Sequence, residues 1–218
     1  LSTASCIVLT TPDAQRTMNT CLGIAGELSS DDIESNLIEK SEVVYIEGYL
    51  WDQEIAKKAI NKALEISEKT GSKVAFSLSD SFCVERHRVE FIDIIDSFAD
   101  IVFANESEIM SLFCTDDFGA AISKCRELTA VIAITRSEKG SVIISGKETV
   151  EVNAIKTDIV DSTGAGDLYA AGFLSGYVKG RPLQECGKIG SVLASEIITH
   201  VGARPQKPLL ELLSEHGF

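Results

Sequence analysis

Short β-branched runs recur along this chain with longer stretches of helical period between them, and that alternation restricts the fold more than any other feature. EVVYIEG (42–48), KVAFSL (73–78), DIVFA (100–104) and AVIAIT (130–135) are the runs. They are apolar on both sides of the pleat, which requires a covering layer on each face, and parallel strands need crossover connections long enough to hold a helix. Between the first two runs, Ile55, Ala56, Ala59, Ile60, Ala63 and Leu64 mark one helix face, with Lys57, Lys58, Lys62 and Glu65 on the other. SVIISGKETVEV (141–152) differs, since two alternating runs around Ser-Gly-Lys predict a β-hairpin. Two last helices are expected over about 165–179 and 183–199, separated by Gly180 and Pro182. The pattern predicts an α/β protein of βα units on a mainly parallel central sheet.

With 218 residues, 44% of them hydrophobic, the chain can bury a core of ordinary size as one domain over 1–218. No repeat or linker divides it, and Pro12, Pro182, Pro205 and Pro208 fall near expected element ends. The net charge of −13 argues against nonspecific binding to nucleic acid or anionic membranes, both of which need a basic surface. A phosphate ligand would have to be held locally. No apolar run approaches the roughly 20 residues of a membrane span, and the start LSTASCIVLTTPD has no basic n-region, so the expected location is cytoplasmic. Leu1 leads almost at once into a β-like run, which suggests that an upstream segment is missing. Cys6, Cys21, Cys83, Cys114, Cys125 and Cys186 show no CxxC pair or zinc spacing and are expected to be reduced and mostly buried. The sequon Asn105-Glu106-Ser107 means little in a cytosolic chain.

Ligand crevices in open α/β sheets lie beyond the carboxyl ends of the strands. Four segments are expected as loops there: Ser79–Arg88, Asn105–Glu108, Thr135–Gly140 and Asp161–Asp167. The last, in DSTGAGDLYAAGF (161–173), sets two glycines and an acid at a helix mouth. Free N–H groups on a helix's first turn bind anions and stabilise charge on a phosphoryl group in transit. Asp167 makes sense there if a hydroxyl lies between it and the phosphate, giving its proton to the carboxylate as its oxygen attacks. The plainer reading has Ser162 or Thr163 capping the helix and Asp167 complementing its dipole. GAGD is no dinucleotide fingerprint, because Tyr169 holds the third glycine position, and no GxxxxGK[ST] loop occurs.

DSTGAGDLYAAGF resembles the C-terminal signature of the ribokinase-like carbohydrate and nucleoside kinases, the PfkB family. The resemblance implies a three-layer αβα, Rossmann-like fold, with Asp167 as catalytic base and Gly164, Ala165 and Gly166 as the anion hole. Asp161 and Thr163 match positions that help hold a monovalent cation in many members, so K+ is implied as an option. NESE is similar to the family's NxxE motif, in which Asn105 and Glu108 would organise Mg2+ and phosphate-bound water. By itself that stretch also reads as a capping box. TRSEKG resembles the TxGxxG nucleotide loop, with Thr135 and Gly140 matched and Ser137 where glycine is usual. ITHVGARP resembles the segment near the adenine pocket, which would bring Gly202, Ala203 and Ser191 to the base.

AQRTMNTCLG (14–23) and VYIEGYLWD (44–52) look most like the bacterial branch of adenosine-kinase-like sugar kinases. The family's N-terminal portion, with its GG and NxA segments and most of the β-lid, is absent, so the chain matches about the C-terminal two-thirds of such a kinase. The implied activity is transfer of the γ-phosphate of ATP to a hydroxyl of a small-molecule sugar or nucleoside, with a homodimer allowed. The alternative is a non-catalytic nucleotide- or sugar-binding relative that senses or scaffolds. Arg86, His87 and Arg88 are expected on a solvated face, Trp51 with Tyr49 in core packing, and His200 and His216 show no metal spacing.

Overall fold

The β-branched runs become strands where the sequence expects them. The structure is a computed structural model that describes residues 1–11 and 16–218, so Pro12 and the first two residues of AQRTMNTCLG lie outside the described residues. Strands β1 (Ser5–Thr10) and β2 (Arg16–Cys21) form a two-stranded sheet of largely exposed residues. A six-stranded sheet follows in the order β3 (Val43–Glu47), β4 (Lys73–Ser77), β5 (Ile101–Asn105), β6 (Val131–Thr135), β7 (Ser141–Ser145) and β8 (Glu148–Val152). β3 runs parallel to β4 with Ile46 opposite Phe76, and β4 runs parallel to β5 with Ala75 opposite Ile101. The expected α/β class with a mainly parallel central sheet flanked by helices holds.

The chain divides into two compact units. The first comprises Leu1–Ser5, Cys21–Ile134 and Ile144–Glu148 and carries helices α1 (Ser35–Glu39), α2 (Glu54–Thr70), α3 (Ser81–Ser97), α4 (Glu106–Leu112) and α5 (Phe118–Cys125). Ala56, Ala59, Ile60, Ala63 and Leu64 of α2 are buried as predicted, whereas Ile55 stays exposed at the edge of that face. The helix stops where Gly71 adopts φ 77° and donates its N–H to Ser67 O at 2.8 Å.

Helix α3 corrects the expected loop over Ser79–Arg88. Asp80 caps the helix by accepting the Cys83 N–H at 2.7 Å, and Cys83, Val84, Phe91, Ile94 and Ile95 recur at helical spacing to bury one face. His87 departs from helical dihedrals (φ −120°, ψ 19°) and kinks the helix. Trp51, 4% exposed, packs edge-on to Phe91 at 6.3 Å between ring centroids, so its expected place in the core holds. Tyr49 is exposed and donates its hydroxyl to Ser79 O at 2.9 Å.

The second unit comprises Cys6–Thr20, Thr135–Ile143 and Thr149–Phe218 and carries α6 (Ala165–Tyr177), α7 (Leu183–Ile197) and α8 (Leu209–Glu215). Pro182 and Pro208 stand immediately before α7 and α8, where a missing N–H costs nothing. α6 and α7 meet backbone to backbone. A Cβ on Gly172 would lie 2.8 Å from Gly190 Cα, and one on Gly190 would lie 2.8 Å from Tyr169 O. Tyr169 donates its hydroxyl to Ser141 Oγ at 2.8 Å, and burial pushes that phenol up to about 12. Val192, Leu193 and Leu212 form a further core cluster with Leu168, Leu209 and Phe218 packed on it.

All six cysteines are free thiols. Cys83, Cys125 and Cys186 are buried, but Cys6, Cys21 and Cys114 are exposed, so the expectation of mostly buried thiols fails for half of them. Cys6 and Cys21 lie on β1 and β2, whose residues are largely exposed.

Candidate active site

In the second unit the loop before α6 is built on Asp161. Its side chain is 1% exposed, and its Oδ1 accepts the Thr163 N–H at 2.9 Å and the Thr163 hydroxyl at 2.6 Å. Its Oδ2 accepts the Gly202 N–H at 3.1 Å. The Thr163 hydroxyl foremost, then the Gly202 and Thr163 N–H groups, hold this carboxyl below its ordinary range, so it stays ionised. The turn then reaches Gly164, the N-cap of α6, at φ 83°. No side chain caps the helix, so the capping role considered for Ser162 or Thr163 does not apply; the Ser162 carbonyl instead accepts the Ala165 N–H at 3.3 Å. Glycine is required at 164, because the left-handed backbone disfavours a Cβ and Ala203 Cα already lies 3.3 Å from where one would sit.

Gly166 and Asp167 occupy the exposed mouth of the helix. Among the described residues neither backbone N–H meets an acceptor, and the Asp167 carboxylate has no hydrogen-bond or ion-pair partner. A Cβ on Gly166 would meet nothing within 4 Å. Two unspent donors, a free carboxylate and open space thus converge on one helix start, which suits an anion with a hydroxyl beside it.

Arg16, on β2, donates its Nη1 to Ser162 Oγ at 2.5 Å and also favours the ionised Asp161. Sequence reasoning did not single it out, since its partner lies far along the chain. Glu196 of α7 was missed as well. Its carboxylate is buried, and Oε1 accepts the N–H groups of Gln206 at 2.9 Å and Lys207 at 3.1 Å. That anchors the segment whose Ala203 packs on Gly164.

Gly140 has φ 84°, and a Cβ there would fall on Val152 O and 2.7 Å from Ala154 N, so only glycine fits. Ser137, which replaces the usual glycine, nevertheless adopts φ 51°, the backbone region that glycine favours. Its carbonyl accepts the Gly140 N–H at 3.0 Å, closing the turn after Thr135. Ser191 is buried and donates its hydroxyl to Gly187 O at 2.9 Å within α7, which leaves its proton spent inside the helix.

In the first unit Asn105 caps α4 in a full capping box. Asn105 Oδ1 accepts the Glu108 N–H at 2.9 Å, Glu108 Oε2 accepts the Asn105 N–H at 2.9 Å, and Glu108 Oε1 accepts from Asn105 Nδ2 at 2.5 Å. Glu108 is 6% exposed. Desolvation raises its carboxyl to about 7 against the pull of the Asn105 N–H, and the neighbouring Asp80 carboxylate adds to the rise. Carboxylate and amide oxygens on Glu108 and Asn105 are the hard donors that a divalent cation keeping much of its water takes, so the residues present fit magnesium.

Arg86 is exposed, as expected of a solvated face, whereas His87 and Arg88 are half-buried, and all three are tied into the first unit. Arg86 and His87 both bond Asp52, at 2.7 Å for the closest atoms of each, and Arg88 Nε donates to Ser111 O at 3.0 Å. No helix of the described residues is long and apolar enough to cross a membrane.

This chain is similar to proteins that carry kinase names. It is 29% identical over 187 residues to an Archaeoglobus fulgidus protein called an uncharacterized sugar kinase, covering 85% of this chain and 72% of that one. The crystal structure of adenosine kinase from Sinorhizobium meliloti superposes with a TM-score of 0.96 at 44% identity, over 99% of this chain and 66% of that one. A probable sugar kinase protein from Rhizobium etli CFN 42 gives a TM-score of 0.96 at 44% identity over 98% of this chain. The chain spans 66% of each of these two solved proteins. The profile of the pfkB family carbohydrate kinases matches residues 1–209, nearly the whole length, and the chain therefore belongs to that family.

Proposed function

We propose that this chain forms one ribokinase-like domain of an adenosine-kinase-like enzyme that transfers the γ-phosphate of ATP to a hydroxyl of a sugar or nucleoside. The observation that carries the reading is the exposed, unpartnered Asp167 carboxylate beside the two unspent N–H groups at the start of α6. Asp167 takes the proton of the acceptor hydroxyl as its oxygen attacks phosphorus. Gly166 and Asp167 N–H, assisted by the helix dipole, stabilise the charge that develops on the moving phosphoryl group. Gly164 aims those donors, Ala165 starts the helix behind them, and Thr135, Ser137 and Gly140 shape a nucleotide turn with Gly202, Ala203 and Ser191 near the base. Asn105 and Glu108 hold magnesium through water; the ion, when bound, neutralises phosphate charge. Little covalent work falls to the protein, because phosphoryl transfer is mostly positioning and charge stabilisation.

Potassium is proposed behind the loop at Asp161 and Thr163, where the ionised, buried carboxylate supports a cation. The non-catalytic sensor has no observation in its favour. The names borne by similar proteins, adenosine kinase and sugar kinase, support both acceptor classes.

The test is ADP release by the protein at its natural length, against ribose, fructose, phosphosugars, adenosine and other nucleosides, with and without potassium. One acceptor should release ADP, and Asp167→Asn should cut its turnover by about 10²-fold or more with ATP affinity little changed. Silence across the panel, or near-normal turnover in Asp167→Asn, would overturn the assignment.

A further inference from the structure

We propose that Asp52, Cys83 and His87 form a zinc site that clips the Gly48–Asp52 turn to helix α3. One ligand atom from each lies within 4.8 Å of the other two. Cys83 and His87 stand four residues apart on α3 and so share a face, while Asp52 ends the short turn that follows β3. Zinc takes thiolate at about 2.3 Å and imidazole or carboxylate at about 2.0–2.2 Å. Tetrahedral ligands at those bond lengths stand roughly 3–4 Å from one another, so the three donors need only small shifts.

The imidazole is already set for the task. Nδ1 faces Glu90 Oε2 at 3.1 Å, and Glu90 Oε1 accepts from Lys57 Nζ at 3.0 Å. A carboxylate on one ring nitrogen fixes the proton there and leaves the other nitrogen for the metal, the usual support of a metal-binding histidine. That other nitrogen, Nε2, points at Asp52 Oδ1 across 2.7 Å. The position a proton bridges without metal is the one the cation takes. Cys83 is fully buried, with Sγ 3.2 Å from Gly48 O.

On binding, the Cys83 S–H bond breaks and an S–Zn bond forms, and any proton on Nε2 leaves with the thiol proton for solvent. Arg86 donates to both Asp52 oxygens, Nη2 to Oδ2 at 2.7 Å and Nε to Oδ1 at 3.0 Å. Metal on Oδ1 displaces the second of these bonds and leaves the first. Three protein ligands leave a fourth position for water. The thiolate and imidazole donors disfavour magnesium, so this proposal does not rest on the kinase chemistry.

The test uses Co2+ as a spectroscopic stand-in, added to the metal-free 218-residue chain. One equivalent should produce a thiolate-to-cobalt charge-transfer band, displaced by Zn2+ and unaffected by excess Mg2+. Cys83→Ser and His87→Gln should abolish the band and Cys114→Ser should keep it, with circular dichroism checking that each variant is folded. Glu90→Gln should weaken Co2+ binding about tenfold or more. Zn2+ should raise the Tm of the parent chain but not that of His87→Gln, a readout that holds even if Cys83→Ser fails to fold. No thiolate band in the parent chain, a band that survives Cys83→Ser, or an equal Zn2+ effect on the Tm of His87→Gln would overturn the proposal.

Discussion

Replacing Glu108 by Gln should remove a pH dependence that the native fold carries. The parent carboxyl is raised from 4.5 to about 7 in the folded chain, chiefly by burial. Between those values the folded protein holds a proton that the unfolded chain has released. Its contribution is therefore complete below pH 4.5 and is lost as pH rises to 7. At about 1.4 kcal/mol per unit, the loss amounts to about 3 kcal/mol. Gln keeps an oxygen for the Asn105 N–H and cannot ionise, so its stability lacks this loss. Urea unfolding of both proteins from pH 4.5 to 8 in the presence of a chelator measures the difference, because titrations common to both cancel. The stability of the parent relative to the variant should fall by about 3 kcal/mol across that range. Parallel profiles would refute the account of a desolvated carboxyl. Mg2+ added to the parent should flatten its profile, since a cation favours the ionised form.

Two neighbouring glycines should behave differently. Gly164→Ala, forced into a left-handed backbone against Ala203, should lose about 1–2 kcal/mol and melt several degrees lower. Gly166→Ala should melt like the parent, because its Cβ meets nothing, yet lower phosphoryl-transfer turnover by crowding the anion's place; normal turnover would count against an anion hole there. Gly172→Ala drives a methyl into Gly190 Cα and should cost about 1–3 kcal/mol by thermal or urea unfolding, with an unchanged midpoint counting against the close helix contact.

Strands β3 to β6, the β7–β8 hairpin and helices α2, α6 and α7 were legible because each carries one periodicity over its length. Helix α3 was not. The run Glu85, Arg86, His87, Arg88 interrupts its apolar spacing and leaves no buried apolar residue between Val84 and Phe91, so the stretch reads as a polar loop. The loop at Asp161–Asp167 was legible as a motif because it sets two acids and a glycine pair in the order of the family signature. Its supports were not: Arg16 reaches Ser162, Gly202 reaches Asp161 and Glu196 reaches Gln206, and no periodicity records such pairings between separate segments. The Asn105 and Glu108 pair shows the converse, since the capping box predicted from spacing forms while burial of the same carboxylate, which spacing does not record, raises its carboxyl.

The seam between Gly172 and Gly190 lies on the same helix that carries the Gly166 and Asp167 donors. Gly172 lies two turns from Ala165, about 10 Å along α6 at 1.5 Å per residue. Main chain resting on main chain has no rotamer to yield, so α6 acts as a lever pivoted at a hard point, and a wedge there swings its far end. If α6 holds phosphate as proposed, residues distant from it would spoil that hold without touching it, and variation at the pivot should lower turnover together with stability.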